Sequence, residues 1–133
     1  MLDLNGFKQV NDTHGHEAGD DMLKQFATEL RSASRATDAV GRWGGDEFIV
    51  ILDGNLGEAQ SHVERMQKWV FGSYTLHLGA EGPKVEMTAA LGLVEWQTGE
   101  TLKQVLARAD TLMYKQKAEM RKTPNSTPSA RAN

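Results

Sequence analysis

The sequence predicts an α/β (α+β) sandwich with a mixed, largely antiparallel central sheet and flanking helices. Helical and β-prone segments are mixed along the chain without the strict βαβ order of a doubly wound parallel sheet. In addition, Gly44-Gly45 separates two β-prone segments, which is typical of a hairpin and therefore of antiparallel pairing. The 133 residues fit one domain with a single core.

Apolar residues at helical spacing predict three helices, at residues 17–33, at residues 58–71 and from about residue 101 onward. Strands are predicted at residues 1–4, 39–43, 47–52, 74–78 and 85–94. The last two are expected to pair through a loop that contains Gly79, Gly82 and Pro83. Residues 122–133 contain two prolines and almost nothing apolar, which predicts a disordered tail.

The composition excludes several classes of protein. With 39% hydrophobic and 25% charged residues and a net charge of −3, the surface has no general attraction for nucleic acid or anionic lipid. No apolar run approaches the length of a membrane span. The absence of cysteine excludes disulfides and thiolate chemistry. We therefore expect a cytoplasmic protein with neither nucleic acid nor a membrane as a partner of this segment.

The hairpin carries more polar chemistry than a turn requires. Two glycines let another molecule approach the backbone, and Asp46 and Glu47 follow at once. Carboxylates of this kind near phosphates indicate Mg²⁺, with Asp3 as a second ligand if its strand lies beside the hairpin. The alternative is an exposed Gly-Gly turn with solvated acids.

A second polar segment lies upstream. Asn11 and Asp20 offer an amide and a carboxylate, which suit the edge of a guanine, and Lys8 supplies a charge that binds phosphate. Each also has a simpler interpretation, since Asn11-Asp12 is a common turn pair and Asp20 favours a helix N-terminus.

Three ordered motifs resemble one known family. Residues 3–20 resemble the pattern Asp-x-Asp-x-Phe-Lys-x-x-Asn-Asp-x-x-Gly-His-x-x-Gly-Asp, the hairpin reads Gly-Gly-Asp-Glu-Phe at residues 44–48, and residues 109–117 resemble Ala-Asp-x-Ala-Leu-Tyr-x-Ala-Lys. Together they resemble the GGDEF domain of diguanylate cyclases over roughly residues 1–121. The resemblance implies a fold like the palm of polymerases and nucleotide cyclases.

The resemblance implies condensation of two GTP into cyclic di-GMP with release of pyrophosphate. It also implies Mg²⁺ or Mn²⁺ as cofactor, a homodimer as the catalytic unit, cyclic di-GMP as an allosteric inhibitor, and an upstream sensor or receiver domain. The implied site residues are Asp46 and Glu47 for catalysis; Asp3, the Leu4 carbonyl and Asp46 for the metal; and Lys8, Asn11, Asp20, Gly44, Gly45, Lys117 and Arg121 for the substrate.

A further match concerns regulation. Arg35 and Asp38 form an Arg-x-x-Asp sequence at the family's offset from the hairpin, and Arg65 resembles the arginine that completes this inhibitory site. An arginine fork binds phosphate or guanine edges bidentately. The alternatives are a solvated ion pair for the first two residues and a solvated helix arginine for the third.

The chain departs from the family pattern at several positions. Asn5 replaces the second aspartate of Asp-x-Asp, and Gln116 and Met120 stand where alanine and glycine are usual. We expect residues 1–121 to form a GGDEF domain that lacks its N-terminal helix and the start of its first strand. The competing hypotheses are a catalytically inactive domain that acts as a GTP or cyclic di-GMP receptor, and a chain with no stable fold.

Overall fold

The computed structural model describes residues 1–77 and 82–122, which form four helices and six strands. The helices are α1 (Phe7–His14), α2 (His16–Ser32), α3 (Leu56–Trp69) and α4 (Leu102–Lys122). The strands are β1 (Leu2–Leu4), β2 (Ala39–Gly44), β3 (Glu47–Ile51), β4 (Gly72–Thr75), β5 (Lys84–Met87) and β6 (Ala89–Leu91).

Four strands form the main sheet in the order β2-β3-β1-β6, and β4 pairs with β5 in a separate two-stranded sheet. Every pairing in the described residues is antiparallel. The predicted fold class is confirmed. Because β1 lies inside the sheet, Asp3 has a neighbour on each side, Glu47 on β3 and Ala90 on β6.

The core lies between one face of the main sheet and α2. The apolar residues of α2 recur at helical spacing, so they form one stripe that packs on the sheet. Phe26 is fully buried at the centre, with its ring centroid 5.6 Å from that of Phe48, 6.3 Å from Phe71 and 6.2 Å from Tyr74. This aromatic cluster ties the main sheet to the segment that leads into β4.

Helix α4 packs against β6 and the residues that follow it. Gly92 makes this close approach possible, because a Cβ atom there would lie 2.1 Å from the Ala109 carbonyl oxygen. Beside α4 an open groove of about 420 Å³ runs along β3 and the first turn of α3. Its apolar lining includes Trp43, Ile51 and Trp96, all more than half exposed.

One prediction about the elements is wrong, and one helix was not predicted. Residues 85–94 do not form one strand, because the chain leaves the small sheet at Thr88 and continues as β6 in the main sheet. Alternation of apolar residues does not reveal which strand is the partner, so this change of sheet was not visible in the sequence. Helix α1 was also missed, since Asn11 and Asp12 favour turns and the helix begins directly after Gly6, which has a φ of 75°.

The other element predictions hold within a few residues. The loop predicted at Gly79 and the disordered tail predicted at residues 122–133 lie outside the described residues, except for Gly82 and Pro83 of the loop and Lys122 at the end of α4. In the ranges that are described, none of the helices combines the length and apolarity needed to cross a membrane.

Candidate active site

Asp3 lies at the centre of the candidate site. It is buried in the middle of β1, with 6% of its surface exposed, and its Oδ2 accepts a hydrogen bond from Lys117 Nζ at 2.6 Å. The other carboxylate oxygen, Oδ1, is buried and has no hydrogen-bond donor among the described residues. A buried carboxylate oxygen with a free lone pair is a strong acceptor for a cation.

The hairpin brings two more acids to the same place. Glu47 begins β3 directly opposite Asp3, and the Leu4 amide donates to the Asp46 carbonyl at 3.0 Å. The turn itself depends on Gly45, whose φ of 47° is rarely adopted by other residues. The condition set for Asp3 as a second ligand, that its strand lies beside the hairpin, is therefore met, while its role as a ligand stays a prediction.

The charges of these acids act on one another. Burial, and after it the charge of Asp3, raises the pKa of Asp46. Burial also raises the pKa of Glu47, with further contributions from Asp3, Asp110 and Asp46, while Lys117 opposes the effect in both cases. The site therefore concentrates negative charge that one ammonium group does not balance.

These residues fit a magnesium or manganese ion. Carboxylates and a backbone carbonyl are the ligands that such hard cations prefer, and Asp3 Oδ1 is available as a ligand. In residues 1–77 and 82–122 no three acidic or histidine side chains enclose a common point.

The raised pKa of Asp46 gives a testable expectation. The folded state takes up the proton more readily than the unfolded state, so stability falls as the pH rises from the ordinary value of 3.8 through the raised pKa. Asp46→Asn removes the loss of stability that ionisation of this carboxyl causes. The variant should melt at a higher temperature than the parent at neutral pH without divalent cations, and the difference should shrink as the pH falls, by calorimetry.

Asp12→Asn is the matched control, because Asp12 is an exposed acid on α1 and its substitution removes the same charge. A lower melting temperature for Asp46→Asn at neutral pH would contradict the expectation.

The predicted guanine-binding residues lie where α1 meets α2. Asn11 is partly buried on α1, and Asp20 is exposed on α2. Asn11 packs directly over Gly19, where a Cβ atom would lie 1.7 Å from its Oδ1. That oxygen is buried and has no partner in the described part of the chain. Sequence reasoning missed Gly19, although a glycine inside a helical pattern often marks a close contact.

The predicted phosphate-binding residues are divided between two helices. Lys8 is exposed on α1. Lys117 and Arg121 lie one turn apart on α4, and Lys117 reaches Asp3 while Arg121 is exposed in the last turn. Gly44 and Gly45 are exposed in the hairpin, so the backbone there is open to a ligand.

The predicted inhibitory residues lie away from the acids. The Asp38 carboxylate is buried and accepts from the backbone amides of Arg35 at 2.8 Å and Asp53 at 3.0 Å. Burial acts to raise the pKa of Asp38, but the hydrogen bonds from Asp53 and Arg35 outweigh it and the pKa is lowered. Asp38 therefore has a structural role whether or not a ligand binds there.

Arg65 approaches the same region through a residue that sequence reasoning missed. Its Nη2 lies 3.4 Å from His62 Nδ1, and His62 is 1% exposed on α3. Burial lowers the pKa of His62, although the charge of Asp38 opposes this. His62 thus contacts Arg65 and lies near enough to Asp38 and Arg35 for their charges to affect its pKa. A single histidine at an apolar helix position gives no distinctive signal in the sequence.

Comparison with known proteins identifies the family of the chain. Residues 1–123 match the family described as diguanylate cyclase, GGDEF domain, and the chain belongs to this family. It is 35% identical over 119 residues to Diguanylate cyclase A of Treponema denticola and 38% identical over 123 residues to the response regulator PleD of Caulobacter vibrioides. These alignments cover 88% and 91% of the chain but only 31% and 27% of those relatives.

Solved structures of similar fold belong to the same family. The diguanylate cyclase SiaD of Pseudomonas aeruginosa, solved in complex with its activator SiaC, superimposes with a TM-score of 0.80 at 37% identity, covering 89% of this chain and 45% of that one. The GGDEF domain of DgcB from Caulobacter crescentus, solved in complex with c-di-GMP, gives a TM-score of 0.76 at 25% identity, covering 89% and 70%. Both carry the palm-like α+β fold of GGDEF domains.

Proposed function

We propose that this domain condenses two GTP molecules into cyclic di-GMP and releases two pyrophosphates. The observation that carries the proposal is the convergence of Asp3, Asp46 and Glu47 at one end of the sheet, with Lys117 beside them. Membership of the GGDEF family and relatives named diguanylate cyclases support it.

Each residue near the acids has a chemical role in this proposal. Asp3, Asp46 and the Leu4 carbonyl hold Mg²⁺ or Mn²⁺, which when bound offsets charge on the triphosphate and helps to activate the attacking hydroxyl. Glu47 supports that cluster or accepts the hydroxyl proton, for which a raised pKa suits it. When the nucleotide binds, the Lys117 ammonium group leaves Asp3 and donates to the phosphate oxygens instead.

The nucleotide is held from three sides. Asn11 and Asp20 bind the guanine edge, Lys8 and Arg121 bind the triphosphate, and the bare backbone at Gly44-Gly45 lies against the nucleotide. In the bond-forming step a ribose 3′-hydroxyl attacks the α-phosphorus of the other GTP, and pyrophosphate leaves. Two such bonds close the ring, so we propose that two copies of the domain face each other as a homodimer.

Gly19→Ala tests the guanine site. The new methyl group would occupy the position of Asn11 Oδ1 and push the amide away from the base, while alanine itself favours the helix. Losing one neutral hydrogen bond to the base should weaken GTP binding about fivefold. Calorimetric titration with GTP measures this. Gly57→Ala is the control, because a Cβ there lies at an ordinary contact distance of 3.4 Å. Unchanged GTP affinity in Gly19→Ala would contradict the assignment of Asn11.

The second candidate function is a receptor that binds GTP or cyclic di-GMP without turnover. Asn5 favours it, because the side chain at this position contacts Thr88 and Met120 and adds no charge to the acids. Cyclic di-GMP would bind at Arg35, Asp38 and Arg65, where the Arg35 side chain is 46% exposed. The same site would give product inhibition in an active cyclase.

A product assay distinguishes the two functions. The purified chain is incubated with GTP and Mg²⁺ beside a Glu47→Ala control, and the nucleotides are separated by chromatography. Formation of cyclic di-GMP by the parent chain but not by Glu47→Ala supports the cyclase. GTP binding without product supports the receptor, and the absence of both contradicts the proposal. Since the chain spans about a third or less of the two curated relatives named above, we also propose that a sensor or receiver domain controls it.

A further inference from the structure

The last turns of α4 are held in place by polar contacts. The buried residues of α4 are Val105, Ala109 and Met113, and from residue 114 to the end of the helix none of its residues is buried. This final segment nevertheless carries Lys117 and Arg121. Apolar packing alone therefore does not fix the position of the two cations.

The first polar contact comes from Gln116. Its Oε1 accepts a hydrogen bond from the Leu91 amide at 2.7 Å. Leu91 belongs to β6, the edge strand of the main sheet, and the next amide along, that of Gly92, points the other way, to the Met1 carbonyl. Gln116 thus satisfies a backbone donor that the sheet leaves open and fastens the helix to the strand.

The second contact comes from Asn5, just after β1. Its Nδ2 donates to Thr88 Oγ1 at 2.9 Å and to Met120 Sδ at 3.4 Å, while its backbone amide donates to the Thr88 carbonyl at 2.9 Å. An aspartate at this position has no hydrogen to donate to the sulfur when ionised. The contact with Met120 therefore requires the amide of Asn5 rather than a carboxylate.

Gln116 and Met120 are four residues apart, so they form one row on α4, and Lys117 and Arg121 form the adjacent row. Because both rows belong to one rigid helix, contacts that hold the first row also fix the position of the second. We propose that Asn5, Gln116 and Met120, here called the α4 clasp, are positioning residues that hold Lys117 and Arg121 at the triphosphate of bound GTP. This rests on the proposed function, because it assumes that GTP is the ligand.

The test uses three variants of the whole chain. Gln116→Ala removes the acceptor, Gln116→Glu retains one, and Lys115→Ala is the control on an exposed position of the same helix. Hydrogen exchange of the Leu91 amide by NMR reports on the clasp without nucleotide. Affinities for GTP and GMP with Mg²⁺, by calorimetry, report on positioning, because only GTP carries the triphosphate.

In Gln116→Ala we expect faster exchange at Leu91 and about fivefold weaker GTP binding with GMP binding unchanged, since a neutral hydrogen bond contributes about that factor. Gln116→Glu should restore the protection of Leu91, and Lys115→Ala should resemble the parent. Unchanged exchange at Leu91, or equal losses for GTP and GMP, would overturn the clasp while leaving the proposed function intact. A parent chain that binds no GTP would instead overturn the proposed function and the clasp with it.

Discussion

Gly92→Ala is expected to lower the midpoint of thermal unfolding by about 10 °C. The added Cβ atom would lie 2.1 Å from the Ala109 carbonyl oxygen and 2.8 Å from the Met113 amide nitrogen, both in the backbone of α4. A backbone cannot rotate out of the way as a side chain does, so the whole helix must move from β6. Overpacking of this kind costs about 3 kcal/mol, which for a domain of this size corresponds to about 10 °C.

Circular dichroism at increasing temperature measures this effect. Gly41→Ala is the matched control, because Gly41 lies in β2 and a Cβ there meets no described atom within 4 Å. Its midpoint should stay close to that of the parent. Equal midpoints for Gly92→Ala and Gly41→Ala would show that α4 does not depend on close contact with the sheet.

Under the proposed cyclase function, Asp3→Asn is expected to reduce the conversion of GTP to cyclic di-GMP about a thousandfold, because a metal ion held there would contribute several kcal/mol of charge stabilisation. The buried Oδ1 of Asp3 is the carboxylate oxygen that no described donor occupies. An amide there would keep the shape of the side chain but bring a donor and remove the charge. Chromatography of the products under saturating Mg²⁺ measures the loss.

Asp12→Asn serves as control, since Asp12 is an exposed acid on α1 and its loss also changes the net charge by one. The circular dichroism spectra of both variants should match the parent. If Asp3→Asn retained most of the activity, Asp3 would not hold the metal, and its pairing with Lys117 would be purely structural.

Much of this fold follows from local patterns. Helix α2 and the Gly44-Gly45 hairpin were predictable because their apolar spacing and turn residues act over a few neighbours. The position of Asp3 beside the hairpin was only a condition in the sequence analysis, because a local pattern does not show which strands pair. The roles of the individual site residues stay predictions.

The remainder depended on contacts between distant residues. The change of sheet at Thr88 is determined by pairing with β1, more than eighty residues away in sequence. The roles of Gly19 and His62 depend on their neighbours Asn11 and Arg65, and neither residue type indicates such a neighbour in the sequence. Gln116 and Met120 are departures from the family pattern in sequence, and only the structure shows that they contact Leu91 and Asn5. Single positions gain such meaning only once their neighbours are known.

The groove beside α4 has an optical consequence. All three tryptophans are more than half exposed, and two of them, Trp43 and Trp96, line the groove. Indole groups already in water change their emission little when the chain unfolds. We therefore expect intrinsic fluorescence to change only partly on unfolding, whereas the emission of Trp43 and Trp96 would shift to shorter wavelength if the groove were covered.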